Sequence, residues 1–251
     1  MRLIKAIALI LFTTNLAWGQ TGRINVVIPT PDSESRYIWQ NIRDIRFFDA
    51  NGYAISLPQS ELTTRMLAHA RNGSLNNSYL DSLKDLMSGR IYNRADYLNG
   101  YSKITEALPT IERAARILSE SSWEWSWKEF AQYQINLTLY GPGGSYNPDN
   151  GSILLLTMPD GRFKGYSNPA NTIIHEMVHI GIDSSIVRRY NLPHPTKERI
   201  VDLFVQTFFG EFLPDYRIQN FGDKRIDKYL TSKSDFVDLP QKIEQYIEEI
   251  K

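Results

Sequence analysis

The chain contains 251 residues, with 28 basic and 28 acidic side chains, four histidines and no cysteine. The formal net charge of zero gives no electrostatic indication of a nucleic-acid partner, and the lack of cysteine excludes disulfides and cysteine-ligated metal sites. A hydrophobic share of 42%, with 12% aromatic residues, predicts a packed globular core rather than a disordered chain.

Residues 1–19 have the pattern of a secretory signal peptide. Arg2 and Lys5 precede a mostly apolar run over residues 6–17, and Ala17-Trp18-Gly19 has small residues at the spacing that signal peptidase reads. We expect cleavage after Gly19, which makes the mature chain slightly acidic and the protein secreted or periplasmic. A retained membrane anchor is the alternative, although no segment is long and apolar enough for a transmembrane helix.

The region that follows is predicted to be mainly helical. Residues 24–58 mix short apolar segments with turn signals, whereas residues 61–71, 79–87 and 104–118 have the spacing of amphipathic helices. We therefore distinguish an N-terminal region at residues 20–100 from a second unit at residues 101–251. One continuous domain over residues 20–251 is the alternative organisation.

Two short strands are predicted in the middle of the chain. Residues 134–140 alternate apolar and polar side chains, and a glycine- and proline-rich connection leads to a second strand at residues 152–158. Before them, Trp123, Trp125 and Trp127 alternate with polar residues, as on one face of a strand or in an aromatic wall. Core packing is the favoured role for these tryptophans.

Two long helices are predicted after the strands. The first follows Pro169 and ends near Tyr190. The second begins after Pro195, with Thr196 as its N-cap, and continues to about Phe209. It is apolar almost all round, which indicates that it is buried. Helical segments at residues 224–230 and 239–250 close the chain.

The first long helix contains the sequence His175-Glu176-Met-Val-His179, which is an HExxH motif. Two histidines four residues apart project from one face of a helix and can ligate one divalent metal ion, while the glutamate can reach a water molecule on that ion. The alternative is a pair of core histidines with satisfied hydrogen bonds.

The second long helix supplies a candidate third ligand. Glu198 follows His179 after 18 intervening residues, and Asp202 lies one helical turn further on the same face. A lone carboxylate is costly in a buried helix, so Asp202 needs a partner. A ligating histidine normally donates its second ring N–H to such a group, which predicts a hydrogen bond from His175 to Asp202. A surface charge is the alternative role for Glu198.

Other residues near the motif are candidates for the same site. His194 is a candidate third ligand, a candidate hydrogen-bond donor in the transition state, or an exposed loop histidine, and Tyr190 is a second donor candidate or a packing residue. Asp183 is a candidate ligand of another zincin type, although a surface role is favoured because it lies four residues further along the same helix. The metzincin pattern is absent, because Ile182 and Ser185 occupy its glycine and histidine positions and no methionine follows the motif.

Over about residues 132–210, the combination of HExxH with Glu198 and Asp202 resembles the gluzincin group of zinc metallopeptidases. This resemblance implies a small sheet, an active-site helix, a second helix with the glutamate ligand, and a sheet-edge strand along which a peptide lies. The expected fold is therefore α+β and zincin-like, with a small, mostly antiparallel sheet and additional N-terminal and C-terminal helices.

The expected activity is hydrolysis of a peptide or protein substrate with Zn²⁺ as the cofactor. His175, His179 and Glu198 hold the metal, Glu176 is the general base, and Tyr190 or His194 binds the oxyanion. The strand at residues 152–157 is expected to pair with the extended substrate.

Two alternatives to this activity stay open. The first is a non-catalytic binding protein with a zincin fold, although such a protein has no chemical need for Glu176. The second is a proenzyme in which residues 20–100 cover the cleft. The oligomeric state is left open.

Overall fold

The computed structural model describes residues 23–220 and 222–250. The predicted signal peptide lies outside these residues. Within the described part of the chain, no helix is long and apolar enough to cross a membrane. The described residues form a mixed α+β fold with a four-stranded sheet.

The strands and α-helices before the HExxH motif are one strand and five α-helices, followed by the remaining three strands. They are β1 (Ile24–Val27), α1 (Pro31–Arg43), α2 (Ile45–Ala50), α3 (Glu61–Asn72), α4 (Ser78–Leu86), α5 (Leu98–Glu120), β2 (Tyr133–Thr138), β3 (Gly144–Asn147) and β4 (Ser152–Leu156). The helices predicted at residues 61–71, 79–87 and 104–118 are confirmed as α3, α4 and α5.

The remaining elements are helical. They are α6 (Pro169–Ile182) with a π-helical continuation (Asp183–Arg188), α7 (His194–Phe209), a 3₁₀ helix (Lys224–Tyr229), α8 (Lys233–Val237) and α9 (Leu239–Ile250). The prediction that Thr196 caps the second long helix is wrong. The helix α7 begins at His194, with Pro195 in its first turn, where a missing N–H costs nothing.

Helix α1 was not predicted, although its N-terminus carries a recognisable signal. The Thr30 hydroxyl accepts a hydrogen bond from the backbone N–H of Ser33, and the Ser33 side chain accepts one from the backbone N–H of Thr30. Pro31 occupies the first turn. This capping box and the preformed proline φ together favour a helix at this point.

The sheet has the strand order β1-β2-β4-β3. The pairs β1–β2 and β2–β4 are parallel, and only β3–β4 is antiparallel. The expectation of a mostly antiparallel sheet is therefore wrong. Parallel neighbours require a long crossover, and helices α1 to α5 supply it between β1 and β2.

The strand expected to pair with a substrate lies inside the sheet. Both edges of β4 are occupied, by β2 on one side and by β3 on the other. The edge position belongs to β3, in the segment that was predicted to be a connection. The expectation for residues 152–157 is thus wrong, because the hairpin between β3 and β4 uses the free edge of β4.

The apolar side chains form two clusters. The larger one joins the sheet to α5, α6, α7 and the C-terminal helices, and Ile135, Ile174 and Phe204 are fully buried within it. The smaller one lies between α1, α3 and α4, around Ile38 and Met66. The fold therefore holds α6 and α7 in the main core and a helical lobe beside them.

The three tryptophans belong to the main core, as their favoured role predicted. Trp123 and Trp127 stack with ring centroids 5.1 Å apart, and Trp127 stacks on Phe204 at 5.5 Å. All three are partly buried against the core. They form a tryptophan cluster over α7 rather than one face of a strand.

A buried carboxylate connects the helical lobe to the sheet. Oε1 of Glu34 on α1 accepts hydrogen bonds from the Tyr97 hydroxyl at 2.9 Å, and from the Thr138 hydroxyl and the Leu139 N–H at 3.0 Å each. Glu34 is 1% exposed, and burial raises the pKa of its carboxyl group. One oxygen atom thus accepts three hydrogen bonds, and the Thr138 hydroxyl has a second acceptor in the Tyr140 carbonyl at 3.2 Å.

We expect Glu34→Ala to lower the free energy of unfolding by about 3–5 kcal/mol, because buried donors lose their acceptor. Glu34→Gln keeps the acceptor oxygen and is expected to stay within about 1 kcal/mol of the wild type at neutral pH. Because folding raises the pKa of the Glu34 carboxyl, the protonated carboxyl stabilises the folded chain at low pH. This stabilisation is lost as the pH rises from the ordinary pKa of a glutamate through the raised pKa of the folded state. The Glu34→Gln side chain does not titrate, so that variant does not show the loss. Urea unfolding at two pH values measures both effects, and equal stabilities of the Ala and Gln variants would contradict the prediction.

Candidate metal centre

Helix α6 positions the HExxH motif between the core and a cleft. Its apolar residues pack on all sides, since Ile173, Ile174 and Met177 are fully buried. His175 and His179 are only 8% and 2% exposed. Both histidines line the cleft from a helix that is otherwise buried in the core.

Three candidate ligand atoms meet at this point. Nε2 of His175 and Nε2 of His179 are 3.0 Å apart, and Oε2 of Glu198 lies 3.4 Å and 3.3 Å from them, respectively. Zinc bonds of about 2.0–2.1 Å at tetrahedral angles separate neighbouring ligand atoms by about 3.3 Å. The structure thus brings the three predicted ligand residues to the spacing that one such ion requires.

The charge states of His179 and Glu198 suit a divalent cation, whereas the pKa of His175 is raised, because the nearby carboxylates of Glu198, Glu176 and Asp202 outweigh its burial. Burial lowers the pKa of His179 to about 3, which keeps the imidazole neutral. Burial alone would raise the pKa of Glu198, but hydrogen bonds with His175 and His179 hold it far below its ordinary value. Metal ligation needs neutral imidazole and an ionised carboxylate.

The predicted contact between His175 and Asp202 is indirect. Nδ1 of His175 lies 2.7 Å from the Tyr216 hydroxyl, which donates a hydrogen bond of 2.7 Å to Oδ1 of Asp202. The direct distance from Nδ1 to Asp202 is 3.5 Å. Because the hydroxyl donates to Asp202, it accepts from Nδ1–H of His175 and leaves Nε2 with its lone pair toward the candidate metal position. The fully buried Asp202 also accepts the Gln219 N–H at 2.8 Å.

We expect Tyr216→Phe to weaken zinc binding by about 10–100-fold, because the variant loses the hydroxyl that fixes the His175 tautomer. Competition with a chromophoric chelator measures the zinc dissociation constant. Tyr166→Phe is the matched control, since the Tyr166 ring stacks on Tyr216 while its hydroxyl donates to the Arg217 carbonyl. Equal zinc affinities of Tyr216→Phe and the wild type would contradict this role.

Lys197 and His194 hold the other oxygen of Glu198. Lys197 Nζ is 3.2 Å and His194 Nδ1 is 3.4 Å from Oε1. The Lys197 ammonium also donates to the Tyr146 hydroxyl at 3.4 Å, and the Tyr146 ring stacks on His179 with centroids 4.8 Å apart. Both contacts orient the ligands, and sequence reasoning had identified neither Lys197 nor Tyr146.

The two predicted donors differ in position. His194 lines the cleft, and its Nε2 is 2.6 Å from the Tyr53 hydroxyl. Tyr190 is not among the described residues that line the cleft, and its hydroxyl donates to Glu244 on α9 at 2.8 Å. The prediction for Tyr190 is therefore corrected, because the turn after α6 directs this side chain toward α9.

Glu176 of α6 lines the same cleft as the candidate ligands, and its side chain lies against Gly144 at the start of the edge strand β3. It is 7% exposed and lines the cleft with His175. A Cβ atom at Gly144 would lie 2.7 Å from Oε1 of Glu176, so the glycine leaves room for the carboxylate. Burial raises the pKa of Glu176 to about 7, with His175 lowering it and Glu198 raising it. A carboxyl group with this pKa can exchange a proton near neutral pH.

The cleft has a volume of about 580 Å³, within the range of small-molecule and peptide sites. Its lining includes Gly143, Gly144, Ser145 and Tyr146 at the edge strand, and Phe47, Phe48 and Tyr53 from the N-terminal lobe. The three candidate ligands line it as well. The cleft thus brings together the candidate ligands, the edge strand and three aromatic side chains.

Comparisons with known proteins assign no family to the chain. No protein-family model, no curated protein and no solved structure matches the chain. The His-His-Glu cluster lies within metal-binding distance in a mixed α+β fold. The observations thus establish a candidate metal centre, formed by His175, His179 and Glu198.

Proposed function

We propose that this chain is an exported, zinc-dependent peptidase of the gluzincin type in which Glu176 is the general base. The observation that carries the proposal is the meeting of His175, His179 and Glu198 at about tetrahedral spacing, with a buried glutamate beside them in an open cleft. Export rests on the predicted signal peptide at residues 1–19.

The donor set favours zinc over harder cations. Two imidazole nitrogens and one carboxylate oxygen are typical of catalytic zinc sites, whereas Ca²⁺ and Mg²⁺ prefer oxygen ligands. When bound there, zinc would polarise a water molecule and the substrate carbonyl.

Glu176 performs the proton transfers in this proposal. Its carboxylate accepts a proton from the attacking water and passes it to the nitrogen of the leaving amine. Its position next to His175 allows this role, and the burial that raises its pKa to about 7 makes both transfers feasible near neutral pH. A protein that only binds a ligand would have no use for this group, which favours the enzyme over a zincin-fold binding protein.

The edge strand β3 holds the substrate in this proposal, in place of the interior strand β4. Among the described strands it pairs only with β4, and the residues from Gly144 to Tyr146 line the cleft. An extended peptide can add to that edge through main-chain hydrogen bonds. His194 remains the candidate donor to the carbonyl oxygen in this proposal, and it would have to exchange its Nε2 contact with the Tyr53 hydroxyl or its Nδ1 contact with Glu198 for that bond.

Metal removal tests the proposed activity. We expect the zinc-loaded chain to cut a mixture of peptides, with new termini detected by mass spectrometry. Dialysis against a chelator should abolish these cuts, and one equivalent of zinc should restore them. The His179→Ala chain, treated in parallel, controls for contaminating proteases. Cleavage that persists in the chelator, or that His179→Ala retains, would contradict the proposal.

A further inference from the structure

Three aromatic side chains of the helical lobe form a surface inside the cleft. Phe47, Phe48 and Tyr53, which we call the aromatic patch, contact one another with ring centroids 5.7–6.4 Å apart. Phe47 is 56% exposed and Tyr53 is 38% exposed. Neither hydrophobic cluster of the described residues includes any of the three, so they do not contribute to a core.

The aromatic patch is connected to the candidate metal centre. The Tyr53 hydroxyl bonds to His194 Nε2 at 2.6 Å, and the two rings meet edge to face with centroids 6.3 Å apart. Nδ1 of the same histidine lies 3.4 Å from Glu198, a candidate ligand. A ligand group on the aromatic patch would therefore lie close to the candidate metal centre.

Hydrogen bonds fix the segment that carries the aromatic patch relative to the edge strand. Ser56 and Gly141 exchange two backbone hydrogen bonds of 2.9 Å and 2.8 Å. Lys164 Nζ donates to the carbonyls of Ala54 and Pro142 and so joins the same two segments. The distance between the aromatic patch and β3 is thus set by the fold before any ligand binds, which lowers the cost of ordering on binding.

Exposed rings in a cleft indicate an apolar ligand group. Scattered apolar residues on a surface need no explanation, but contiguous aromatic residues beside a polar site are typical of binding surfaces. An aromatic or branched aliphatic side chain would bury the exposed faces of Phe47 and Phe48. Burial of one phenylalanine side chain favours binding by about tenfold or more.

We propose that the aromatic patch is a specificity subsite that binds a bulky aromatic or aliphatic side chain of the peptide, adjacent to the cleaved bond. The part of this inference that concerns cleavage rests on the proposed peptidase function. Binding to the aromatic patch requires neither metal nor Glu176, so it can be measured separately.

The first experiment measures cleavage preference. Peptide mixtures are digested with the zinc-loaded wild type, with Phe47→Ala/Phe48→Ala, with Phe47→Ala alone, and with Leu98→Ala. Leu98 is a matched control, because it is 50% exposed but does not line the cleft. We expect Phe, Tyr, Leu or Ile to be enriched about tenfold on one side of the cuts made by the wild type and Leu98→Ala. The enrichment should fall to less than about threefold in the double variant and to an intermediate value in Phe47→Ala.

The second experiment measures binding to chelator-treated protein by NMR titration. The probes are acetyl-Gly-Phe-Gly-amide and acetyl-Gly-Ala-Gly-amide. We expect the Phe probe to bind about tenfold more tightly to the wild type and to Leu98→Ala, and to lose this advantage in the double variant. Equal thermal unfolding midpoints of the variants would show that the exposed rings are not needed for folding.

The outcomes separate this inference from the proposed function. Cleavage whose side-chain preference is absent, or survives in the double variant, would overturn the subsite and leave the peptidase standing. Preferential binding of the Phe probe without any cleavage would support the subsite and contradict the peptidase. A wild-type dimer that the double variant converts to a monomer, with equal affinity for both probes, would assign the aromatic patch to self-association and overturn the subsite.

Discussion

Glu176→Gln is expected to lower the turnover number by about a thousandfold while zinc remains bound. The amide has nearly the same shape as the carboxylate, so it still fits against Gly144 and leaves the three ligands in place. It cannot accept a proton from the attacking water, and proton transfer is the role that we propose for Glu176. Steady-state kinetics on a cleaved peptide, combined with metal analysis of the same sample, measures both quantities.

Glu248→Gln is the control for this variant, because Glu248 is an exposed residue of α9. Its turnover and its zinc content should equal those of the wild type. If Glu176→Gln kept the turnover of the wild type, Glu176 would not be the general base. If the loss of activity were accompanied by loss of zinc, it would be explained by the metal site instead.

Loss of a ligand is expected to remove the stabilisation that zinc gives to the folded chain. A metal that binds only the folded state stabilises it by about 4 kcal/mol when its free concentration is about a thousand times the dissociation constant. The thermal unfolding midpoint of the wild type should therefore rise on addition of zinc. His179→Ala and Glu198→Ala should lose nearly all of this rise, because each removes one of the three converging atoms.

His69→Ala serves as the matched control for the histidine variants. His69 is on α3 in the helical lobe, where its Nδ1 bonds to Ser74. The full zinc-dependent rise should persist in this chain. A full rise in His179→Ala would contradict the ligand set, and a full rise in Glu198→Ala together with its loss in His194→Ala would identify His194 as the third ligand.

The ligand cluster could be predicted because it depends on local geometry. Helical spacing alone brings His175 and His179 to one face, and the buried pattern of α7 indicated that Asp202 needs a polar partner. The partner itself could not be predicted. Tyr216 lies in an irregular segment after α7, where no periodicity relates it to the histidine it contacts.

The strand pairing of the sheet and the aromatic lining of the cleft were harder to predict for a similar reason. Alternation along β2 and the apolar run of β4 indicate strands but not their neighbours or directions, so the parallel pairing was missed. Phe47 and Tyr53 come from a segment more than a hundred residues before the motif, and only tertiary folding brings them to the cleft. The capping box at Thr30 and Ser33 was a local signal for α1 that the sequence did contain.

Elemental analysis of the purified, zinc-equilibrated chain tests the proposed metal centre most directly. Samples of the wild type, Glu176→Gln and His179→Ala are dialysed against the same buffer and compared by zinc content per chain. The geometry of His175, His179 and Glu198 predicts one zinc ion in the first two and essentially none in His179→Ala. A wild-type chain without zinc, or a His179→Ala chain that retains one zinc ion, would contradict it.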